Sequence, residues 1–178
     1  MLSLPKAFKY CLRCGGKLVW RSKQRLGICA SCRYEMYDEP KLVVTGLLID
    51  DTYRVLLGKR ARTPHRGAWG TLGGFVEVGE TGEEALRREM REELDTRLGT
   101  LEYFASIPGI YPYQGVALPY LEIVFIGRGP DLRKVRADKS EITALKYFAV
   151  QDIPFARLAF ASQRTALRAY RRSRLLHK

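Results

Sequence analysis

The longest apolar run in the chain, Leu42 to Ile49, has the length of a buried strand. A turn at Asp50-Asp51 and a second strand-like stretch, Arg54 to Arg60, follow it, so the pair predicts a hairpin. After a loop punctuated by Pro64, Gly67 and Gly70, the period becomes helical. Between Thr81 and Leu94, the residues Leu86, Met90 and Leu94 recur every four positions as an apolar stripe. At about 100° per residue, Ala85, Glu89, Glu92 and Glu93 fall on a different face, with Arg88 on its flank. Thr81 and Glu84 have the spacing of a capping box, which places the helix start. Leu101–Ser106, Leu121–Ile126 and Ala144–Phe148 predict further strands, and Ile153–Tyr170 predicts a helix beginning after Pro154. Strands interspersed with two helices predict a layered α/β (α+β) domain.

Ahead of that pattern the chain offers one short strand, Lys17 to Trp20, and a breaking segment, Tyr37-Asp38-Glu39-Pro40. The expected division is a small module over 1–38 and a main domain over 39–178. A length of 178 residues suits that division, and an apolar share of 46% is that of a folded protein. The run from Leu42 to Ile49 is far shorter than the roughly 20 residues of a membrane span. Met1 to Lys6 lacks an apolar export core, so the expected compartment is the cytoplasm, with no membrane association.

Charge adds a partner class. Lysine and arginine number 31 against 19 acids, a formal charge of +12, which favours nucleotides, nucleic acid or another anionic surface. Part of the excess lies in the first forty residues. Another part lies in the tail, where Arg164, Arg168, Arg171, Arg172, Arg174 and Lys178 gather, although charge runs of this kind commonly form no more than a solvated helix face.

All four cysteines lie in two CxxC pairs, Cys11/Cys14 and Cys29/Cys32, with fourteen residues between the pairs. That is the spacing of a zinc ribbon, in which two knuckles turn four thiolates toward one tetrahedral ion. Two disulfides or a redox pair are the alternatives; nothing points to an oxidising compartment, and two matched pairs argue for one closed site. Four thiolates leave Zn²⁺ no open position, so this ion is expected to be structural. It would hold a segment too small to fold on a core of its own.

Glu89, Glu92 and Glu93 stand at i, i+3 and i+4, where like charges repel by a few tenths of a kcal/mol per pair. Alone, such glutamates commonly form a salt-bridged surface. Their context changes the reading, because the approach Gly70-Thr71-Leu72-Gly73-Gly74 lets backbone come close to a ligand. Three converging carboxylates make a hard oxygen site suited to Mg²⁺ or Mn²⁺, which is commonly shared with phosphates.

From Gly74 to Thr96 the chain closely resembles the Nudix box. Gly74, Glu80, Arg88, Glu89, Met90, Glu92 and Glu93 fall in register, while Asp95 and Thr96 replace the usual glycine and aliphatic residue. Aspartate tolerates the left-handed conformation that such a helix end requires. With the ribbon ahead of it, the chain resembles the branch that includes NADH and ADP-ribose pyrophosphatases. That branch's tryptophan- and proline-rich motif is replaced here by Ser106 to Tyr113.

The resemblance implies an α/β/α sandwich with a mixed sheet, and metal-dependent hydrolysis of a nucleoside diphosphate linked to another moiety, such as NAD(H), ADP-ribose or FAD. It implies Glu89, Glu92 and Glu93 as ligands, with the carbonyl of Gly73 or Gly74 as a further one. Arg88 would orient the carboxylates and Glu80 would support the box. Glu89 or a later acid would serve as base; Glu141 is the candidate, with an exposed loop charge as its alternative. A homodimer is a common assembly of the family. Tyr111, Tyr113 and Tyr120 are read chiefly as packing residues, and nucleobase stacking is their alternative. Trp69 is expected in the core, and His65 and His177 at the surface. The rival class is a zinc-ribbon nucleic-acid-binding protein. The two readings merge if the substrate is RNA carrying a nucleotide-type 5′ cap, held through the basic surface.

Overall fold

The computed structural model describes residues 2–176; His177 and Lys178 lie outside them. In chain order the elements are β1 (Leu2–Ser3), α1 (Leu4–Ala7), β2 (Leu18–Arg21), β3 (Leu26–Cys29), β4 (Glu35–Tyr37), β5 (Lys41–Ile49) and β6 (Val55–Arg60). They continue with β7 (Trp69–Gly70), α2 (Gly82–Leu94), β8 (Leu101–Tyr113), β9 (Val116–Arg128), β10 (Ile142–Phe148) and α3 (Ala161–Leu176). The chain divides into two compact units. One is residues 1–41 with the hairpin tip 110–120, and the other is residues 42–109 with 121–178.

In the first unit β2, β3 and β4 form an antiparallel sheet. Opposed residues share a face, so Leu18 and Cys29 turn the same way and meet Cys11 in a small core flanked by Trp20, Cys32 and Met36. Trp20 Nε1 donates to the Phe8 carbonyl at 2.7 Å. In the hairpin tip the rings of Tyr111 and Tyr113 stack at 6.4 Å, and Tyr120 is buried.

The larger sheet is mixed, in the order β1-β9-β5-β6-β10 with β8 added on β9 and β7 on β6, and the second unit is built on its β5, β6, β7 and β10 with most of β8 and β9. Alternation along the strands sorts its apolar residues onto two faces. Val44, Leu48, Leu56 and Phe125 pack against Ala85, Leu86, Met90 and Leu94 of α2. Leu47, Val55, Leu57 and Val124 pack against Ala166, Leu167 and Tyr170 of α3. Strand β10 switches parity through an irregularity between Ile142 and Ala144, which lets Ile142 join Leu145 and Tyr147 on the α2 side. The result is a helix–sheet–helix sandwich.

Several elements differ from the sequence reading: β3, β4 and β7 are additional, and β9 spans Val116–Arg128 rather than Leu121–Ile126. Strand β8 runs to Tyr113 despite Pro108 and Pro112, because it pairs with β9 alone and a proline on an edge strand removes no ladder bond from a second neighbour. The C-terminal helix begins at Ala161 rather than after Pro154. Residues Phe155–Arg157 form a single 3-10 turn, and Leu158-Ala159 then runs extended beside Trp69, whose carbonyl accepts the Ala159 N–H at 2.8 Å. Trp69 is half-buried, with its ring edge-on to Phe148 at 5.0 Å, and His65 is exposed.

Glu122 on β9 is 1% exposed, an unusual place for a carboxylate. Thr45 Oγ1 donates to its Oε1 at 2.6 Å, and the Ser162 hydroxyl also bonds it. Burial pushes its pKa up from 4.5 against the pull of both hydroxyls. A carboxyl raised in this way stabilises the fold below its unfolded pKa and loses that contribution as the pH rises through its folded value. Glu122→Gln keeps an acceptor for Thr45 without the titration. Between about pH 5 and about pH 8 its melting temperature is therefore expected to fall less than that of the parent. Parallel melting profiles would show that Glu122 ionises as freely in the fold as in the open chain.

Candidate active site

Helix α2 starts where its capping residues dictate. Thr81 Oγ1 accepts the Glu84 N–H at 3.2 Å, and Glu84 Oε2 accepts the Thr81 N–H at 2.8 Å. It ends at Asp95, whose φ of 50° and ψ of 44° give the left-handed cap expected where glycine is usual. With both ends fixed and the Leu86–Met90–Leu94 stripe buried, Glu89 lies against Gly74 and Glu93 bonds Gly73, in the segment that follows β7.

Both glycines are required. Gly73 has φ of 131°, and a Cβ there would run into the Val44 carbonyl; a Cβ on Gly74 would collide with the Glu89 carboxylate. The Gly73 N–H bonds the Glu93 side chain, and the Gly74 carbonyl accepts the Val44 N–H at 2.9 Å.

Arg88 spends all five of its N–H donors. Nε and one terminal nitrogen grip Glu80 at 2.8 and 3.0 Å, and the same terminal nitrogen reaches the Phe75 carbonyl at 2.9 Å. The other terminal nitrogen bonds Glu89 Oε1 at 2.9 Å and Glu92 Oε2 at 3.1 Å. The bond to Arg88 holds Glu80 below the usual carboxylate range, and Glu80 in turn raises Arg88 further. Glu92 remains exposed, its side chain held on Arg88.

Glu93 is the least compensated group of the set. Its Oε2 is buried without a hydrogen-bond partner. Burial first, then the charges of Glu89 and Glu141, push its pKa up to about 8, against the Gly73 N–H and the Arg60 charge. Burial also raises Glu89, with Arg88 opposing and Glu92 and Glu141 adding to the rise. The charge of Glu141 thus reaches both. Its loop is fastened to the end of α2, where Arg136 N–H meets the Leu94 carbonyl and Asp138 N–H meets the Glu93 carbonyl. Arg62 holds Glu141 Oε1 at 2.8 Å. Arg60, facing Glu93, was not singled out in the sequence; nothing in Lys59-Arg60 separates it from the many other basic residues.

The four cysteine sulfurs all lie within 4.8 Å of one another, unpaired by disulfides. Cys11 and Cys32 sulfurs are 3.7 Å apart and those of Cys14 and Cys29 3.5 Å, close to the roughly 3.8 Å that tetrahedral Zn–S bonds impose. The Cys32 N–H pulls the Cys29 thiol down to about 6, as a thiolate ligand requires. The quartet fits a zinc site. Among the described residues no group of three carboxylates is gathered as tightly.

Comparison with known proteins addresses family and fold. The NUDIX domain profile matches residues 39–170. A Haemophilus influenzae protein named NAD-capped RNA hydrolase NudC is 36% identical over 111 residues, 60% of this chain and 41% of that protein. Nudix hydrolase 19, chloroplastic, of Arabidopsis thaliana is 32% identical over 172 residues, 94% of this chain and 38% of that protein. The chain therefore spans about two fifths of the length of these relatives. The crystal structure of a NUDIX hydrolase from Nitrosomonas europaea is similar at a TM-score of 0.66 and 28% identity, covering 94% of this chain and 92% of the other.

Proposed function

Because the chain belongs to the NUDIX family, we propose that it hydrolyses the diphosphate bond of a nucleoside diphosphate linked to a second moiety, in a divalent-metal-dependent reaction. The observation that carries this reading is Glu93, a buried carboxylate with a free Oε2, under the charge of two more acids and beside the Gly73–Gly74 segment. Such a group needs a proton or a cation, and the donor set is the hard oxygen type that Mg²⁺ or Mn²⁺ takes.

Glu93 and Glu89 would hold the ion, with Glu92 joining by exchanging its bond to Arg88. The Gly73 carbonyl is better placed to assist than that of Gly74, which already serves Val44. The bound ion supplies charge neutralisation at the diphosphate and a more acidic water. Arg88 fixes the Glu89 and Glu92 carboxylates and anchors them through Glu80 to the loop before α2. Glu141, with Oε1 held by Arg62, leaves Oε2 to take a proton from the attacking water. The ribbon's zinc is structural and stands outside this chemistry.

For the second moiety, the relatives named as NAD-capped RNA hydrolases point to NAD-type dinucleotides, free or at the 5′ end of RNA. The formal charge of +12 suits either substrate. A purely nucleic-acid-binding role gives Glu93 nothing to do. The test is a product-mass screen over NADH, ADP-ribose, FAD and NAD-capped RNA with Mg²⁺ or Mn²⁺ and a chelator control. At least one substrate is expected to yield two monophosphates whose masses sum to substrate plus one water, and chelation is expected to stop the reaction. Metal-loaded protein that is inert toward the whole panel would refute the reading.

A further inference from the structure

Helix α3 carries five arginines and no acid in its sixteen residues. Arg164, Arg168, Arg171 and Arg172 fall within about 100° of arc at helical spacing, opposite the core-facing Ala166, Leu167 and Tyr170. Among the described residues none of the five is in an ion pair, whereas Arg25, Arg54, Arg62, Arg88, Arg128 and Arg133 each are. What α3 offers its arginines instead is aromatic faces. The guanidiniums of Arg168 and Arg171 lie 5.6 and 5.9 Å from the Phe155 ring, and that of Arg174 lies 3.8 Å from Tyr53. A stacked guanidinium is oriented by its face and keeps its N–H edge for an anion. Arg168, Arg171 and Arg172 are exposed.

The helix also begins at the right place. Gln163, in its first turn, reaches the Thr71 carbonyl at 3.4 Å, two residues before Gly73. From Gln163 to Arg172 the helix extends about 14 Å. Further along the helix Arg168 and Arg171, oriented on Phe155, present their edges outward beside Arg172.

We infer that the outer face of α3 is the docking surface for the phosphodiester backbone of a single-stranded RNA, the polymer whose 5′ end occupies the cleft. The consequence for turnover rests on the function proposed above; the binding itself does not. Uniform, closely spaced negative charge is what such a ridge complements, and guanidinium edges match phosphate oxygens.

Binding of a fluorescent, uncapped 5′-monophosphorylated RNA of about 20 nucleotides, followed by anisotropy between about 50 and 200 mM salt, tests this. The variant Arg168→Gln/Arg171→Gln/Arg172→Gln is expected to bind at least about tenfold more weakly at about 100 mM salt. Its slope of log affinity against log salt should be shallower by about 2, at roughly 0.7 per phosphate contact. The lysine triple variant, which keeps the charge but not the stacked fork, should keep the parent's salt slope and lose less affinity than the glutamine variant, and NADH hydrolysis should be unchanged in both. Equal RNA affinity and slope in parent and glutamine variant overturns the inference. An equal loss in both triple variants overturns it as well, since that reports disturbed packing on Phe155. A loss confined to phosphatidylserine vesicles, with RNA binding intact, assigns the ridge to a membrane surface instead. A chain that hydrolyses no nucleotide yet binds RNA through the ridge refutes the proposed function alone.

Discussion

Glu93→Gln is expected to lower turnover by at least about 10²-fold while leaving the fold intact. Loss of an outer-shell partner typically costs 10–100-fold in metal affinity or activity, and a direct ligand should cost more. The amide keeps the volume and one oxygen but gives up the charge that a hard cation needs. Glu92→Gln is the internal comparison: its side chain is exposed and already bonded to Arg88, so its loss should be the smaller.

The same substitution separates catalysis from folding. Glu93 is pushed up to about 8 from an ordinary value of 4.5, so in metal-free protein its stabilising contribution is present below about pH 4.5 and fades as the pH rises through about 8. The glutamine variant lacks that loss. Above pH 8, without metal, it should melt at or above the temperature of the parent while remaining nearly inactive with metal present. Turnover and calorimetric melting on the same preparations check both halves. A variant that retains parental turnover removes Glu93 from the ligand set, and one that melts far below the parent makes it a structural residue.

The second large effect is expected at the cysteines. Cys29→Ser should abolish zinc binding and unfold the first unit, because Cys29 sits at the centre of a core of only three buried residues. Apparent binding energies of about 10–16 kcal/mol for small zinc modules exceed anything so small a core supplies. Zinc stoichiometry by elemental analysis should drop from one per chain to none. Trp20, which flanks that core, should shift its emission toward that of exposed indole. Native Trp20 emission in a zinc-free variant would show that the quartet is dispensable for the fold.

Much of this site is written in local sequence. Thr81 with Glu84 and the Leu86–Met90–Leu94 stripe fix where α2 starts and which face it buries; the orientation of Glu89 and Glu93 then follows from helical geometry. Asp95 takes the left-handed cap that a short polar side chain tolerates, closed by its own N–H on the Arg91 carbonyl. What sequence does not carry is partnership across long separations. Glu122 reads as a routine polar position until Thr45, 77 residues away, is placed against it. The stacked arginines of α3 are indistinguishable in sequence from a solvated charge run until Phe155 and Tyr53 come under them. Strand β8 was undercut by Pro108 and Pro112, whose tolerance depends on the strand having one neighbour, a fact of topology.

The peptide unit at Glu93 joins two parts of the machinery at one pivot. Its side chain faces the cleft, while its carbonyl is pinned by Asp138, three residues before Glu141. In the proposed reaction, main-chain linkage would thus tie the backbone that carries the ion-holding carboxylate to the loop that carries the proton-accepting one. A substitution that displaced the loop would, through the Asp138–Glu93 and Arg136–Leu94 bonds, also pull on the last turn of α2.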